Sequence, residues 1–138
     1  MLDVTTEQGR AAERRLRDEE IVWLATVRHD GQPQVVPVWF LWDGSTFLIY
    51  SRPRNQKLRN IRANPRVALN LNSDSGGNAI VRVEGTAEIV DGAPLATDVP
   101  AMVDKYRDGI RRIGMDPAGF ARAYSVAIRV RPDRFHLG

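Results

Sequence analysis

The residues best suited to chemistry in this chain lie together, at Ser51-Arg52-Pro53-Arg54-Asn55-Gln56-Lys57. Arginine offers a planar fork and lysine a point charge, the two common ways of gripping a phosphate. The stretch follows an apolar run and precedes a helix-like pattern. A helix start there would present free backbone N–H groups and the positive end of its dipole. A solvated basic turn is the plainer reading of the same residues. Lys57 weighs towards a ligand. Among 20 Lys and Arg residues only Lys57 and Lys105 are lysines, and one of them is kept here.

Other chemistries find less support. The chain has no cysteine, which rules out disulfides, thiolate catalysis and cysteine-ligated metals. Its two histidines, His29 and His136, have no second histidine or carboxylate at ligand spacing. No G-x-S-x-G elbow or H-E-x-x-H pair occurs. Neither a catalytic residue nor a metal site is therefore expected, and redox chemistry would come from a borrowed cofactor.

The elements that must position the basic stretch read mainly as β. Residues 6–20 form a surface helix, capped by Thr5 with Gln8 or by Thr6. Its apolar positions are Ala11, Ala12 and Leu16, so loose packing is expected. Residues 21–28 (IVWLATVR), 34–42 (QVVPVWFLW) and 46–50 (TFLIY) read as strands joined by turns at His29-Asp30-Gly31 and Asp43-Gly44. Three strands with short turns predict an antiparallel meander. Pro37, inside the second strand, has no N–H to donate, which implies an edge, a bulge, or a ligand alongside.

A short helix over 55–63 presents Leu58 and Ile61 to the core and stops at Asn64-Pro65. Strands follow over 66–72 and 79–90, the latter bent near Gly85. Residues 92–124 carry no β signal and read as a helical insertion, with helices over 98–110 and 116–123. A sixth strand over 125–130 and a short one over 135–137 complete a single domain of 138 residues. Many short strands separated by turn residues mean a barrel or a sandwich.

With 43% hydrophobic and 27% charged residues, the composition is that of a soluble globular protein. The first twenty residues lack the apolar core of a secretory signal, and no stretch is apolar for long enough to span a bilayer. A cytoplasmic protein without membrane contact is expected. The net charge of +3 raises the question of nucleic acid. The arginines are interleaved with acids, however, as in Glu13-Arg14-Arg15-Leu16-Arg17-Asp18, so nucleic acid is not an expected partner. A modest positive potential still attracts a phosphorylated small ligand.

The order of the motifs adds a resemblance. Leu24-Ala25-Thr26-Val27, Asp30-Gly31-Gln32-Pro33, Val36-Pro37-Val38-Trp39-Phe40, Ser51 through Lys57, Asn60-Ile61-Arg62-Ala63-Asn64-Pro65-Arg66-Val67 and Glu84-Gly85-Thr86-Ala87-Glu88 follow one another here. In that order and spacing the chain resembles the pyridoxamine-phosphate-oxidase-like superfamily, well over residues 10–91 and more loosely beyond. The run Val38-Trp39-Phe40-Leu41-Trp42-Asp43-Gly44 looks most like the actinobacterial branch that uses coenzyme F420. The C-terminal arginine and tryptophan region that true pyridoxamine phosphate oxidases use for their vitamin is missing.

The resemblance implies a mainly β protein, a six-stranded antiparallel split β-barrel of the flavin-reductase, FMN-binding type. It implies a homodimer with two cofactor clefts at the interface. Arg54 and Lys57 would hold the cofactor phosphate, with Ser51, Asn55, Gln56 and Asn60 around it. The backbone of Val36, Pro37 and Val38 would lie along the ring, which gives Pro37 a reason. Residues 77–81 of the second copy, Asn78 and Ala79 among them, would complete the pocket. Trp39 and Trp42 either line the substrate side or simply pack.

The expected activity is F420H2-dependent reduction of a conjugated or quinone-like small molecule, with water or a nearby polar group supplying the proton. Three alternatives stay open: an FMN-dependent oxidoreductase of the same fold, a non-enzymatic flavin or tetrapyrrole binder, and a nucleic-acid-binding barrel. The last is disfavoured by aromatics at strand positions and by scattered basic residues.

Overall fold

A computed structural model describes residues 2–138. Thr6, in extended conformation, accepts a hydrogen bond from the Gly9 N–H (3.0 Å) and so starts α1, Glu7–Asp18. The helix is held more firmly than its few apolar residues suggest. Leu16 is 1% exposed, Trp42 Nε1 donates to Glu13 (2.7 Å), and Arg15 donates to the Asn72 and Ala79 carbonyls. Long polar side chains do here what an apolar stripe usually does.

The strands are β1 (Val22–Val27), β2 (Pro33–Val38), β3 (Leu41–Trp42), β4 (Phe47–Ser51), β5 (Arg66–Leu71), β6 (Val81–Val90) and β7 (Val126–Leu137). They form one antiparallel sheet in the order β2-β1-β5-β6-β7-β4-β3, curled into a split barrel. Its two edges, β2 and β3, are consecutive in the chain. Among the described residues there are seven strands rather than six. The predicted strand over 34–42 breaks at Trp39-Phe40, and the two predicted C-terminal strands are one. The break also replaces the predicted meander, because β2 pairs with β1 while β3 pairs with β4.

Side chains of α3 (Pro100–Arg112) explain that corner. The Phe40 N–H donates to Tyr106 Oη (2.8 Å), and the Phe40 carbonyl accepts from Lys105 Nζ (2.9 Å). Backbone groups that would otherwise need a ladder are thus satisfied locally, and the chain can cross from one sheet edge to the other. β7 runs unbroken because β6 pairs with it from Val81↔Leu137 to Val90↔Ala127. The expected irregularity near Gly85 is a register shift between Glu84 and Gly85.

The barrel interior is filled by Leu24, Phe47, Ile49, Leu58, Leu69 and Ile128, all essentially inaccessible. A second apolar cluster joins α3 and α4 (Pro117–Ala123) to the outside of β4 through Tyr50, Met102, Tyr106, Ile110 and Phe120. β4 lies between the two clusters and is buried throughout. α2 (Gln56–Ala63) buries Leu58 and Ile61 and ends at Asn64, before Pro65. Among the described residues no helix is long and apolar enough to cross a membrane.

Candidate functional site

Residues directly opposite on antiparallel strands share a face of the sheet. The register pairs Thr26 with Gln34, Leu24 with Val36, and Val22 with Val38. One face of β2 therefore turns Gln34, Val36 and Val38 towards the start of α2. The other carries Pro33, Val35 and Pro37 beside Val27, Ala25 and Trp23. Pro37 thus sits in an edge strand, where its missing N–H costs no ladder bond.

Between β2, the basic turn and the helical insertion lies a cleft of about 480 Å³. Val36, Pro37, Val38 and Trp39 form one side, Arg52, Asn55 and Lys57 another, and Phe120 and Tyr124 a third. The aromatic wall is a stack. Trp39 lies on Tyr106 (4.6 Å, 9°) and on Phe120 (5.4 Å), Phe120 lies on Tyr124 (4.8 Å), and the Arg52 guanidinium stands 4.7 Å over the Tyr124 ring. A Cβ on Gly109 would come within 3.1 Å of the Trp39 ring, so a glycine there lets α3 approach this stack.

A second hollow, of about 400 Å³, shares Val36, Asn55 and Lys57 with the first. It adds Thr26, Gln34, Val35 and Gln56. Lys57 stands at the junction, half-buried. Desolvation pushes its pKa below the ordinary 10.5, with no neighbouring carboxylate to offset it. A partly buried cation without a counter-charge suits an anionic ligand. Asn55 caps α2 without using its side chain for the cap, which leaves that amide available beside Lys57.

The structure brings together Val36, Pro37, Val38, Trp39, Asn55, Gln56 and Lys57 of the residues chosen from sequence. The others lie elsewhere. Arg54 is exposed and lines neither hollow, and the turn presents Arg52 to the cleft in its place. Ser51 is buried, with its hydroxyl donating to the Arg52 carbonyl (2.9 Å). Asn60 is 1% exposed and underlies the second hollow, bonded to Thr26, Gln34 and Gln56. Trp42 packs in the barrel core at 2% exposure, too deep to meet a substrate from this cleft. Asn78 and Ala79 belong to the β5–β6 loop, where the Asn78 carbonyl accepts from the Asp74 N–H. They line neither hollow of their own chain.

Sequence reasoning missed Thr26, Gln34, Phe120 and Tyr124. Thr26 and Gln34 look like ordinary inward strand residues, and only the strand register puts them opposite each other. Tyr124 follows a helix far along the chain, and no local pattern connects it to Arg52.

Comparison with known proteins agrees with this architecture. The sequence profile of pyridoxamine 5'-phosphate oxidase matches residues 9–137. A solved F420 reductase is 34% identical, with a TM-score of 0.71 over 90% of this chain and 94% of that one. Two further structures share the fold at lower identity. A FAD-binding protein from Mesorhizobium loti is 20% identical (TM-score 0.68; 91% of this chain, 90% of that one). The heme storage protein HutZ from Vibrio cholerae is 16% identical (TM-score 0.68; 96% and 95%). The fold is one that flavin-type oxidoreductases use, and the chain belongs to the pyridoxamine 5'-phosphate oxidase family.

Proposed function

We propose that the protein is an F420H2-dependent reductase of conjugated or quinone-like small molecules, working as a homodimer that binds the deazaflavin in the cleft beside β2. The observation that carries this reading is Lys57, half-buried without a carboxylate between a polar hollow and an aromatic one. Such a junction suits a ligand with a phosphoryl group on one side and a flat ring on the other. The 34% identity to an F420 reductase favours deazaflavin over FMN.

When bound, the reduced deazaflavin supplies the hydride. The chain supplies binding, orientation and exclusion of water. Lys57 and Asn55 hold the phosphoryl group, and the edge of β2 at Val36, Pro37 and Val38 backs the ring. Trp39, Phe120 and Tyr124 give a planar acceptor an apolar face to stack on. Arg52, over the Tyr124 ring, would offer a cation to an acceptor stacked on that wall. Solvent supplies the proton.

The outward face of β1 and β2 supports a dimer. Trp23, Ala25 and Val27 lie beside Pro37, Val35 and Pro33, and Val35 is 57% exposed. A second copy covering this face would also bring its own loops to the cleft.

Equilibrium titration of apo-protein with F420 and FMN tests the assignment, followed by oxidation of F420H2 by a soluble quinone. Tighter F420 binding and quinone-dependent turnover are expected. FMN binding about tenfold tighter, about 1.4 kcal/mol, would make it an FMN-dependent protein. Tight cofactor binding with no turnover on any quinone would make it a carrier.

A further inference from the structure

Four residues of α3 are buried, Met102, Tyr106, Gly109 and Ile110. Spaced by three and four, they form one stripe along the helix. Glycine is the odd member. It is among the poorest helix formers and leaves a gap between two large side chains, so a close neighbour has to account for it. That neighbour is Trp39. A Cβ at position 109 would lie 3.1 Å from both Cζ2 and Cη2 of the indole, closer than packed carbons sit at their optimum. The other nearby atom, Arg112 Nη2 at 3.5 Å, ends a long flexible side chain and can yield.

The indole has less room to yield. Its backbone is fixed at the next residue, where the Phe40 N–H and carbonyl bond to Tyr106 and Lys105 of the same helix. Its ring lies on Tyr106, which is fully buried, and on Phe120, which is 3% exposed. Its benzo edge faces Gly109. Trp39 is still only half-buried, and the open side left to it is the cleft that it lines. One turn beyond, Ile113 donates its N–H to the Gly109 carbonyl (3.2 Å) and lines the same cleft. Gly109 therefore sits behind two parts of one wall.

We propose that Gly109 determines which planar acceptors the cleft admits, because its missing side chain lets the Trp39 ring sit back against α3. A larger residue at 109 drives the indole towards its open side, into the space where an acceptor would stack. Gly109 touches no ligand and is a positioning residue that acts through Trp39. The inference rests on the proposed function only in taking the Trp39 face as the place where a flat acceptor stacks. It requires neither a deazaflavin nor a phosphoryl group. A fused-ring quinone covers more of the indole face than a single-ring one, so it feels the displacement more.

Two neutral quinones of different size are the probes, duroquinone with one ring and dimethylnaphthoquinone with two. Each is titrated into the full chain and followed by the Trp39 indole N–H resonance, the one of three that Trp39→Phe removes. Without ligand, Gly109→Ala should already shift that resonance and leave those of Trp23 and Trp42 in place. Dimethylnaphthoquinone affinity should then fall about tenfold, while duroquinone affinity stays near that of the parent. Asp108→Ala, exposed on the same helix, should change neither.

Phenylalanine at 39 lacks the carbons that the new Cβ would meet. In the Trp39→Phe background, Gly109→Ala should therefore leave the ratio of the two affinities unchanged. If Gly109→Ala alone does not fold, Trp39→Phe should restore folding, and a double variant that still fails would overturn the inference. So would a size preference that Gly109→Ala leaves as in the parent, an equal loss for both quinones, or the same loss in the Trp39→Phe background. Quinones that never move the Trp39 signal of the parent would overturn it too. The cofactor reading is judged apart from this. F420 bound normally, with a quinone ratio indifferent to position 109, sinks the role of Gly109 alone. A ratio that responds to position 109, with neither F420 nor FMN bound, leaves that role standing and sinks the cofactor reading.

Discussion

At the scale of single residues, the two lysines are the informative ones, and both turn out half-buried and desolvated. Lys57 stood out in the sequence because a chain that otherwise uses arginine kept a lysine at a helix start, and the fold puts it where the two hollows meet. Sequence gives a residue type but not a direction, so it could neither place Arg54 outside both hollows nor decide between the two readings of Trp42, which packs in the core. Arg52 and Arg54 lie two apart in a turn, and only the folded turn decides which faces the cleft. Replacing Lys57 by alanine removes a charge-assisted hydrogen bond, worth about 1.5–3 kcal/mol. F420 affinity should fall about ten- to a hundredfold, with the melting temperature of the apo-protein nearly constant. Lys57→Arg should be milder yet not silent, since a fork and a point charge differ in reach. Arg62→Ala, on an exposed face of the same helix, is the control. Equal cofactor affinity in all variants would place the phosphate elsewhere.

At the scale of elements, most strands and all four helices could be read from periodicity and turn chemistry, because those signals are local. The corner at Trp39-Phe40 could not. Val38 to Trp42 is an unbroken apolar run, and its interruption comes from α3, more than sixty residues later, through Tyr106 and Lys105. Nothing within the run announces it. The clamp has a pH signature. Burial beside Phe40 lowers the Lys105 pKa from 10.5 to about 8, and the nearby Asp18, Glu19 and Glu20 oppose that shift without cancelling it. Between those two values the unfolded chain holds the proton that the folded chain has released. Stability from this group therefore rises as pH climbs from about 8 towards 10.5. Tyr106, kept protonated by burial, works in the opposite sense only once the pH passes its ordinary value of 10.0. Denaturant midpoints at about pH 7.5 and about pH 9.5 should differ in the parent and differ less in Lys105→Met, where the Lys57 shift in the same direction remains. An unchanged difference in Lys105→Met would mean that another group carries the slope.

At the scale of the whole molecule, the sheet order leaves one side of the barrel apolar and uncovered, and that side adjoins the cleft. β1 and β2 turn Trp23, Ala25 and Val27 with Pro33, Val35 and Pro37 outward. Ala68 of β5 lies opposite Ala25 on the same face. Small side chains at the centre with larger ones around them make a flat surface suited to a second copy of itself, and apolar surface of this kind on a lone chain favours association. The face belongs to the same strand that backs the proposed ring, so dimerisation and cofactor binding should be coupled. Light scattering is expected to give a dimer at micromolar concentration. If the proposed dimer forms through this face, Ala25→Glu would bury an unpaired charge from each copy in it, and the dimer should dissociate. Position 25 points away from the core, so the monomer should keep its β circular dichroism. It should bind inorganic phosphate at Lys57 like the parent and lose affinity for F420, because the hollow beside Lys57 is lined by one chain whereas the proposed ring pocket would be completed by two. A monomer that holds F420 as tightly as the parent would show that a single chain completes the cleft, and the apolar face would then have some other use.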